Sequence, residues 1–410
     1  MGLNTELKFS YLLSWGIFLT TLVVLMIHII SAVFPNLLLA SLGDFDDHMN
    51  VNTFETGIWA YPLLITNFII FGLTIFYLKK RLPRFLSNLI KFIFNFEVSS
   101  KIAFLVIVIL IGMYIVFSVG ELFDGKFQAD YYERMKGNLE NFSFTEIEGE
   151  GLNAPSFGSY LHIMLGIISI EVFGNVKVIP FIASIALLVL TYFTTVKITS
   201  KRFAGLVAMV IVLQSGVFLM YDTGITYPNF WILFYLLSLY LIYTKWPISP
   251  IAFFVSILTK ALTVAFLPMT LFFIFRAEIV KQKKIRVLIL YGIIIMLIIV
   301  IFNFTNTSVT GGVQFSSHDF WAGFNAIHTS LRLDGLVLLF MLPLVVGLFL
   351  ISNHGFKQAD SIMFLILGML LSASLLPAFS DIINVPYRFV PLVVFFAMGV
   401  GVLLSKKVTE

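Results

Sequence analysis

The sequence predicts an all-α, polytopic integral membrane protein with about twelve transmembrane helices and further helices lying at its outer face. Two observations carry that prediction. Of 410 residues 59% are apolar and 12% charged, where a soluble domain carries about 25% charged residues, and the mean hydropathy is +1.00. Apolar stretches long enough to cross about 30 Å of hydrocarbon recur along the chain, separated by charged loops. This composition excludes a water-soluble enzyme. The formal net charge of +4, from 26 Lys and Arg against 22 Asp and Glu, is too small for this length to indicate a nucleic-acid partner. With no cysteine, disulfides, thiolate metal sites and Cys nucleophiles are absent. Aromatic residues make up 16% of the chain, which suits many membrane–water boundaries.

Taken in order, the clearest crossings are 11–33, 58–78, 102–119, 176–197, 203–220, 227–244, 285–303, 334–352, 360–379 and 386–404. Segment 249–275 differs, being about 40 Å long as one helix and flanked by Lys245 on one side and Arg276, Lys281, Lys283 and Lys284 on the other. If both ends are cytoplasmic it must cross twice, as two short helices turning near Thr259-Lys260. Basic residues set the orientation, because short loops rich in Lys and Arg stay in the cytoplasm. Loop 79–101, the junctions Lys197–Arg202 and Arg276–Arg286, and the tail Lys406-Lys407 are all basic. Alternating crossings place them on one side with both termini, leaving 41–57, 120–156, 221–226, 304–333 and 380–385 outside. The expectation is a multi-pass plasma or inner membrane protein. Within loop 79–101, Leu86, Leu89, Ile90, Ile93 and Phe94 fall at helical spacing and predict a helix along the inner interface. The first crossing lacks a small-residue cleavage site and reads as a retained helix, not a cleaved signal. With no soluble catalytic domain, any chemistry sits at the outer surface or inside the membrane.

The longest outer loop is acidic: residues 121–150 carry a net charge of −5. Most of its carboxylates keep the loop soluble. Asp124 and Asp130 stand apart, since they come soon after a crossing and are interleaved with Phe127, Tyr131 and Tyr132. An aromatic wall beside a carboxylate suits a sugar ring. After the loop, Pro155 opens a mostly apolar run to Gly174. A full crossing there would break the parity of the topology, so the run reads as a helix along the outer face with Tyr160 and His162 available to a groove.

Lysine in an apolar segment costs about 2.5–3.5 kcal/mol on insertion scales and faces a polar interior or cavity. Lys260 is therefore the most informative single residue, and a phosphate or pyrophosphate would satisfy it. Arg388, at the outer start of the last crossing beside Tyr387, is the second candidate, because a guanidinium grips phosphate bidentately; a headgroup anchor is the alternative. Asp222, just outside crossing 203–220, is placed to bind a cation, to orient Lys260, or simply to solvate its loop. Asp44, Asp46, Asp47 and His48 form the densest acidic cluster. Such a set offers oxygen ligands to a divalent cation, although loop solvation accounts for it better; no cofactor is required by the sequence. Asn141 and Asn306 open glycosylation-acceptor patterns on predicted outer loops.

From residue 102 onward the order of features resembles the polytopic C-type glycosyltransferases that use polyprenyl-phosphate sugars, the superfamily of protein O-mannosyltransferases and lipid-A aminoarabinose transferases. The stretches that carry the likeness are the acidic, tyrosine-containing loop Asp124 to Tyr132 after a crossing, the Pro-initiated run Pro155 to Gly174 ending in Phe-Gly, and the next crossing ending at a basic turn, Lys197 to Arg202. Ser256-Ile-Leu-Thr-Lys260 and Tyr387-Arg-Phe-Val-Pro391 complete the series. The resemblance implies a C-type glycosyltransferase fold, with 101–276 as the catalytic transmembrane module, 277–410 as a C-terminal transmembrane module, and 1–100 as an added two-helix module with a basic interfacial loop. It implies transfer of a sugar from a polyprenyl (dolichyl) phosphate donor to a protein, lipid or glycan acceptor, with Asp124 or Asp130 as base and Lys260 and Arg388 neutralising the departing lipid phosphate. Two departures stand out. The family's Asp-Glu pair is absent, since Gly125 follows Asp124, and Pro228-Asn229 stand where an acidic residue is frequent. A lipid-linked polysaccharide polymerase or ligase would share these features, and a transporter is a rival of another class. Transporters commonly show two related halves, whereas these halves differ.

Overall fold

The computed structural model describes residues 2–37, 52–123, 160–225, 228–304, 315–379 and 386–405. Among them every regular element is a helix. In chain order these are α1 (Gly2–Val33), α2 (Ala60–Leu78), α3 (Arg84–Asn95), α4 (Ser100–Ser118), α5 (Tyr160–Phe173), α6 (Val178–Thr199), α7 (Arg202–Leu213), α8 (Gly216–Tyr221), α9 (Pro228–Tyr243), α10 (Ser249–Thr259), α11 (Leu267–Arg276), α12 (Lys281–Phe304), α13 (Ser317–Ala322), α14 (Ala326–Ser330), α15 (Gly335–Asn353), α16 (Gln358–Ala378) and α17 (Val390–Leu403). Seven helical segments among the described residues are long and apolar enough to cross a bilayer, which is the build of a multi-pass membrane protein.

Other apolar helices fall short of a full span, α7, α9, α10 and α11 among them. The stretch 203–220, expected as one crossing, is cut into α7 and α8. The cut lies at Gln214-Ser215, where the Ser215 hydroxyl leaves the helix pattern to accept the Phe218 N–H at 3.0 Å, a cap that starts a new helix in place of continuing the old one. Segment 249–275 divides where flanking charge and length predicted: α10 ends at Thr259, Lys260 is extended (φ −159°, ψ 117°), a 3-10 turn covers Ala261–Phe266, and α11 follows. The predicted interfacial helix is α3, whose Phe85, Leu89 and Phe92 are exposed.

Helix α17 is the centre of the molecule. Almost every one of its residues is buried, because it packs against α6, α7 and α9 on one side and α15 and α16 on the other. Gly401 permits the approach to α6 and α7: a Cβ there would collide with Thr195 Cγ2 and come within 3.0 Å of the Ala204 carbonyl oxygen. Helix α1 packs on α15 and α16, so the first helix of the N-terminal segment is a wall of the C-terminal helices. In contrast α2 and α4 bury little of their apolar length, as helices facing lipid do.

Basic turn Lys197–Arg202 has a structural use. Ser200, left-handed at φ 58°, ends α6. The buried Lys201 Nζ then donates to the Phe94 carbonyl at 2.7 Å, capping the C-terminus of α3, where a cation is favoured by the helix dipole.

Candidate functional site

Lys260 and Arg388 line the same narrow cavity, of about 10 Å³. Each is delivered by a break in helical structure. The turn that carries Lys260 is stitched by short hydroxyl contacts: Ser256 Oγ donates to the Trp231 carbonyl at 2.8 Å, and Thr259 Oγ1 donates to the Ser256 carbonyl at 2.6 Å. Lys260 thus leaves a helix end held to α9, and Trp231 of α9 also lines the cavity. Arg388 sits in a 3-10 turn, Pro386–Phe389, that opens α17. Its Nε and Nη1 are buried and lack any hydrogen-bond partner.

Two cations in one cavity repel each other, and buried guanidinium donors without acceptors carry a desolvation cost of about 1–3 kcal/mol or more. An anion between them removes both penalties. Ser372 adds a hydroxyl to the wall, and Met369, Leu376 and Phe389 supply apolar surface. The lining combines cationic and apolar surface, the chemistry that suits a phosphate attached to something apolar, in a cavity that as it stands is water-sized.

A polar cluster adjoins this cavity through a ring contact: Tyr221, the last residue of α8, lies edge-on to Tyr387 at 5.5 Å. The next residue, Asp222, is fully buried. Its Oδ2 accepts from Ser118 Oγ at 2.9 Å, while Oδ1 has no hydrogen-bond partner. Burial pushes this carboxyl up to about 7, and the neighbouring Glu121 adds to the effect. The backbone of the same turn is held by Ser184 Oγ, donating to the Asp222 carbonyl at 2.6 Å, and by Asn229 Nδ2, donating to the Tyr221 and Asp222 carbonyls at 3.2 and 3.1 Å. These acceptors explain the amide at position 229, since a carboxylate there could not donate.

Sequence reasoning passed over Glu121 and Lys177. Lys177, only 1% exposed, donates through Nζ to the Glu121 carbonyl at 2.8 Å. Asn175 Nδ2 donates to the Leu122 carbonyl at 2.7 Å, and Thr223 Oγ1 to Glu121 Oε2 at 3.3 Å. The chain just after α4, where the acidic segment starts, is therefore fastened beside Asp222. Two polar residues, Asn175 and Lys177, just before a long apolar run were the available signal. Asp124, Asp130 and Tyr131 lie outside the described residues.

Tyr160 begins α5, the helix expected along the outer face. His162 is buried, its Nε2 hydrogen-bonded to the Ile225 carbonyl and its ring 6.0 Å from Phe230. Burial, with a smaller contribution from the Lys260 charge, pushes the imidazole down to about 4, so it is neutral at ordinary pH. It braces α5 against the turn that follows Asp222. No group of three or more His, Asp or Glu side chains converges among the described residues, and the cluster Asp44, Asp46, Asp47 and His48 lies outside them.

No protein family, characterised protein or solved structure matches this chain.

Proposed function

We propose that the protein is a membrane glycosyltransferase that moves a sugar from a polyprenyl (dolichyl) phosphate donor to an acceptor at the extracytoplasmic face. The observation that supports this reading most is the convergence of Lys260 and Arg388, from separate breaks in the helical bundle, on one cavity with orphaned guanidinium donors. In this reading the short helices complete about twelve crossings, both termini are cytoplasmic, and the bundle is a C-type glycosyltransferase fold.

The donor's lipid tail would lie in the bilayer with its phosphate between Lys260 and Arg388. An acceptor hydroxyl or amide attacks the anomeric carbon. Its proton passes to a carboxylate, Asp124 or Asp130, within hydrogen-bond reach. The bond from the anomeric carbon to the phosphate oxygen breaks with its electron pair on that oxygen, and the two cations neutralise the charge that grows there. Asp222, His162 and Tyr387 position the walls; Tyr131 and Tyr160 are placed by the same reading against the sugar.

Purified protein in lipid, given a radiolabelled polyprenyl-phosphate sugar, tests the proposal. Wild type should bind the donor, and Lys260→Ala or Arg388→Ala should each weaken binding on the order of 10- to 100-fold, the worth of a charge-assisted hydrogen bond. Either Asp124→Asn or Asp130→Asn should abolish transfer while donor binding persists. Undiminished binding in both cation variants sinks the reading. The paired cations suit a lipid pyrophosphate as well, the donor of a polysaccharide polymerase or ligase. Preference for a lipid-pyrophosphate oligosaccharide over a single-sugar lipid phosphate would establish that reading instead.

A further inference from the structure

A second and larger cavity, of about 410 Å³, lies at the junction of α1, α2 and α14, in the size range of small-ligand sites. We propose that this cavity is a binding site for an uncharged saccharide unit, separate from the Lys260–Arg388 cavity. The argument rests on its lining. Trp59 contributes an indole whose Nε1–H is buried with no acceptor, and His328 contributes a buried Nδ1 with no partner. Glu55 and Arg332 add one charge of each sign, and Asn36 and Thr329 add an amide and a hydroxyl.

Chemistry narrows the occupant. A phosphate is disfavoured by the Glu55 carboxylate and a cation by the Arg332 guanidinium. A hydrocarbon would set apolar surface against the Glu55, Arg332, Asn36 and Thr329 polar groups of the lining, and a polar group stripped of water without a new partner costs about 1–3 kcal/mol. A polyhydroxylated ring answers all of them, since each hydroxyl both donates and accepts and the ring's apolar C–H face packs on an indole.

The site is built, not incidental. Gly57 N–H donates to the Val33 carbonyl at 2.9 Å, and a Cβ at Gly57 would come within 2.7 Å of the Ala32 carbonyl oxygen. That close approach holds the segment bearing Glu55 and Trp59 against the end of α1. Asn36 Nδ2 donates to Glu55 Oε2 at 3.4 Å. On the far side α14, which carries His328, also packs against the turn that carries Arg388. The helix that lines the second cavity thus touches the turn that supplies Arg388 to the first.

The test is saturation-transfer-difference NMR on the full-length protein in lipid nanodiscs, with methyl glucoside, methyl mannoside, methyl galactoside and N-acetylglucosamine as probes. At least one sugar should receive saturation from wild type. Its signal should fall at least fivefold in Glu55→Gln, which preserves shape, and in Trp59→Phe, which keeps an aromatic ring but shrinks its face, and persist in Lys260→Ala. The outcome does not depend on the donor: sugar binding that survives Lys260→Ala and Arg388→Ala while donor binding is unaffected by both variants would overturn the proposed function and leave this site standing. No signal from any of the four sugars overturns the site. So does a signal that survives both pocket variants, or one lost in Lys260→Ala and kept in Glu55→Gln.

Discussion

Arg276 and Asp360 form a buried ion pair, Nη2 to Oδ2 at 2.5 Å, with side chains 2% and 0% exposed. It joins the end of α11 to the start of α16. Ser14 of α1 donates to the same carboxylate oxygen at 2.7 Å, and Arg276 Nη1 donates to Ser10 Oγ at 2.5 Å, so three helices meet on one pair of charges. Arg276 had the look of a cytoplasmic flank residue from its neighbours in the chain; its partner is 84 positions away.

Removing one member of this pair strands the other. Arg276→Ala should cost about 3–5 kcal/mol, and replacement of both residues by apolar side chains of similar size should recover much of that loss. Thermal unfolding of the single and double variants in lipid checks it; equal losses in both would place the stabilisation in the ionic contact itself.

Asp222 gives stability a pH dependence with a definite sign. In the folded protein its carboxyl keeps a proton to about 7, whereas the unfolded chain loses it near 3.8. The native state therefore holds more protons across that window, and stability falls as pH rises from about 4 to 7 and levels off above. Unfolding followed against pH should show a shallower decline in Asp222→Asn than in wild type. An unchanged slope would remove Asp222 as its source.

Asn229 donates where a carboxylate cannot. Asn229→Asp should lose the contacts to the Tyr221 and Asp222 carbonyls and set a charge against them, costing about 1–3 kcal/mol or more. Its unfolding midpoint should lie below that of Asn229→Ala, which creates no new charge. The reverse order would mean that the amide's donors contribute little.

Much of the architecture was legible in one dimension. Long apolar runs produced the spanning helices, and the excess length of 249–275 between basic flanks located the break at Thr259-Lys260. The amphipathic spacing around Lys91 marked α3. The break at Gln214-Ser215 was not legible, because a serine can equally well sit inside an apolar helix with its hydroxyl on a carbonyl one turn back, as Thr191 does here at 2.7 Å. Lys260 and Arg388 were visible as candidates because charge in an apolar stretch is costly wherever the chain goes. Glu55, Trp59 and His328 were not, because each stands in a polar loop or beside one, where its residue type is ordinary.

By itself the sequence determined which segments leave water and which positions carry an electrostatic cost, since transfer into an apolar medium depends on the side chains of the segment alone. Only the tertiary structure decided which costs are met and by what: Arg276 by Asp360, Lys201 by the end of α3, Lys177 by a backbone carbonyl. Arg388 is different, for its buried Nε and Nη1 are brought into one cavity with Lys260 and have no hydrogen-bond partner of their own. Partnership between charges depends on distance through space, and that distance is set by how α17 gathers the other helices around it.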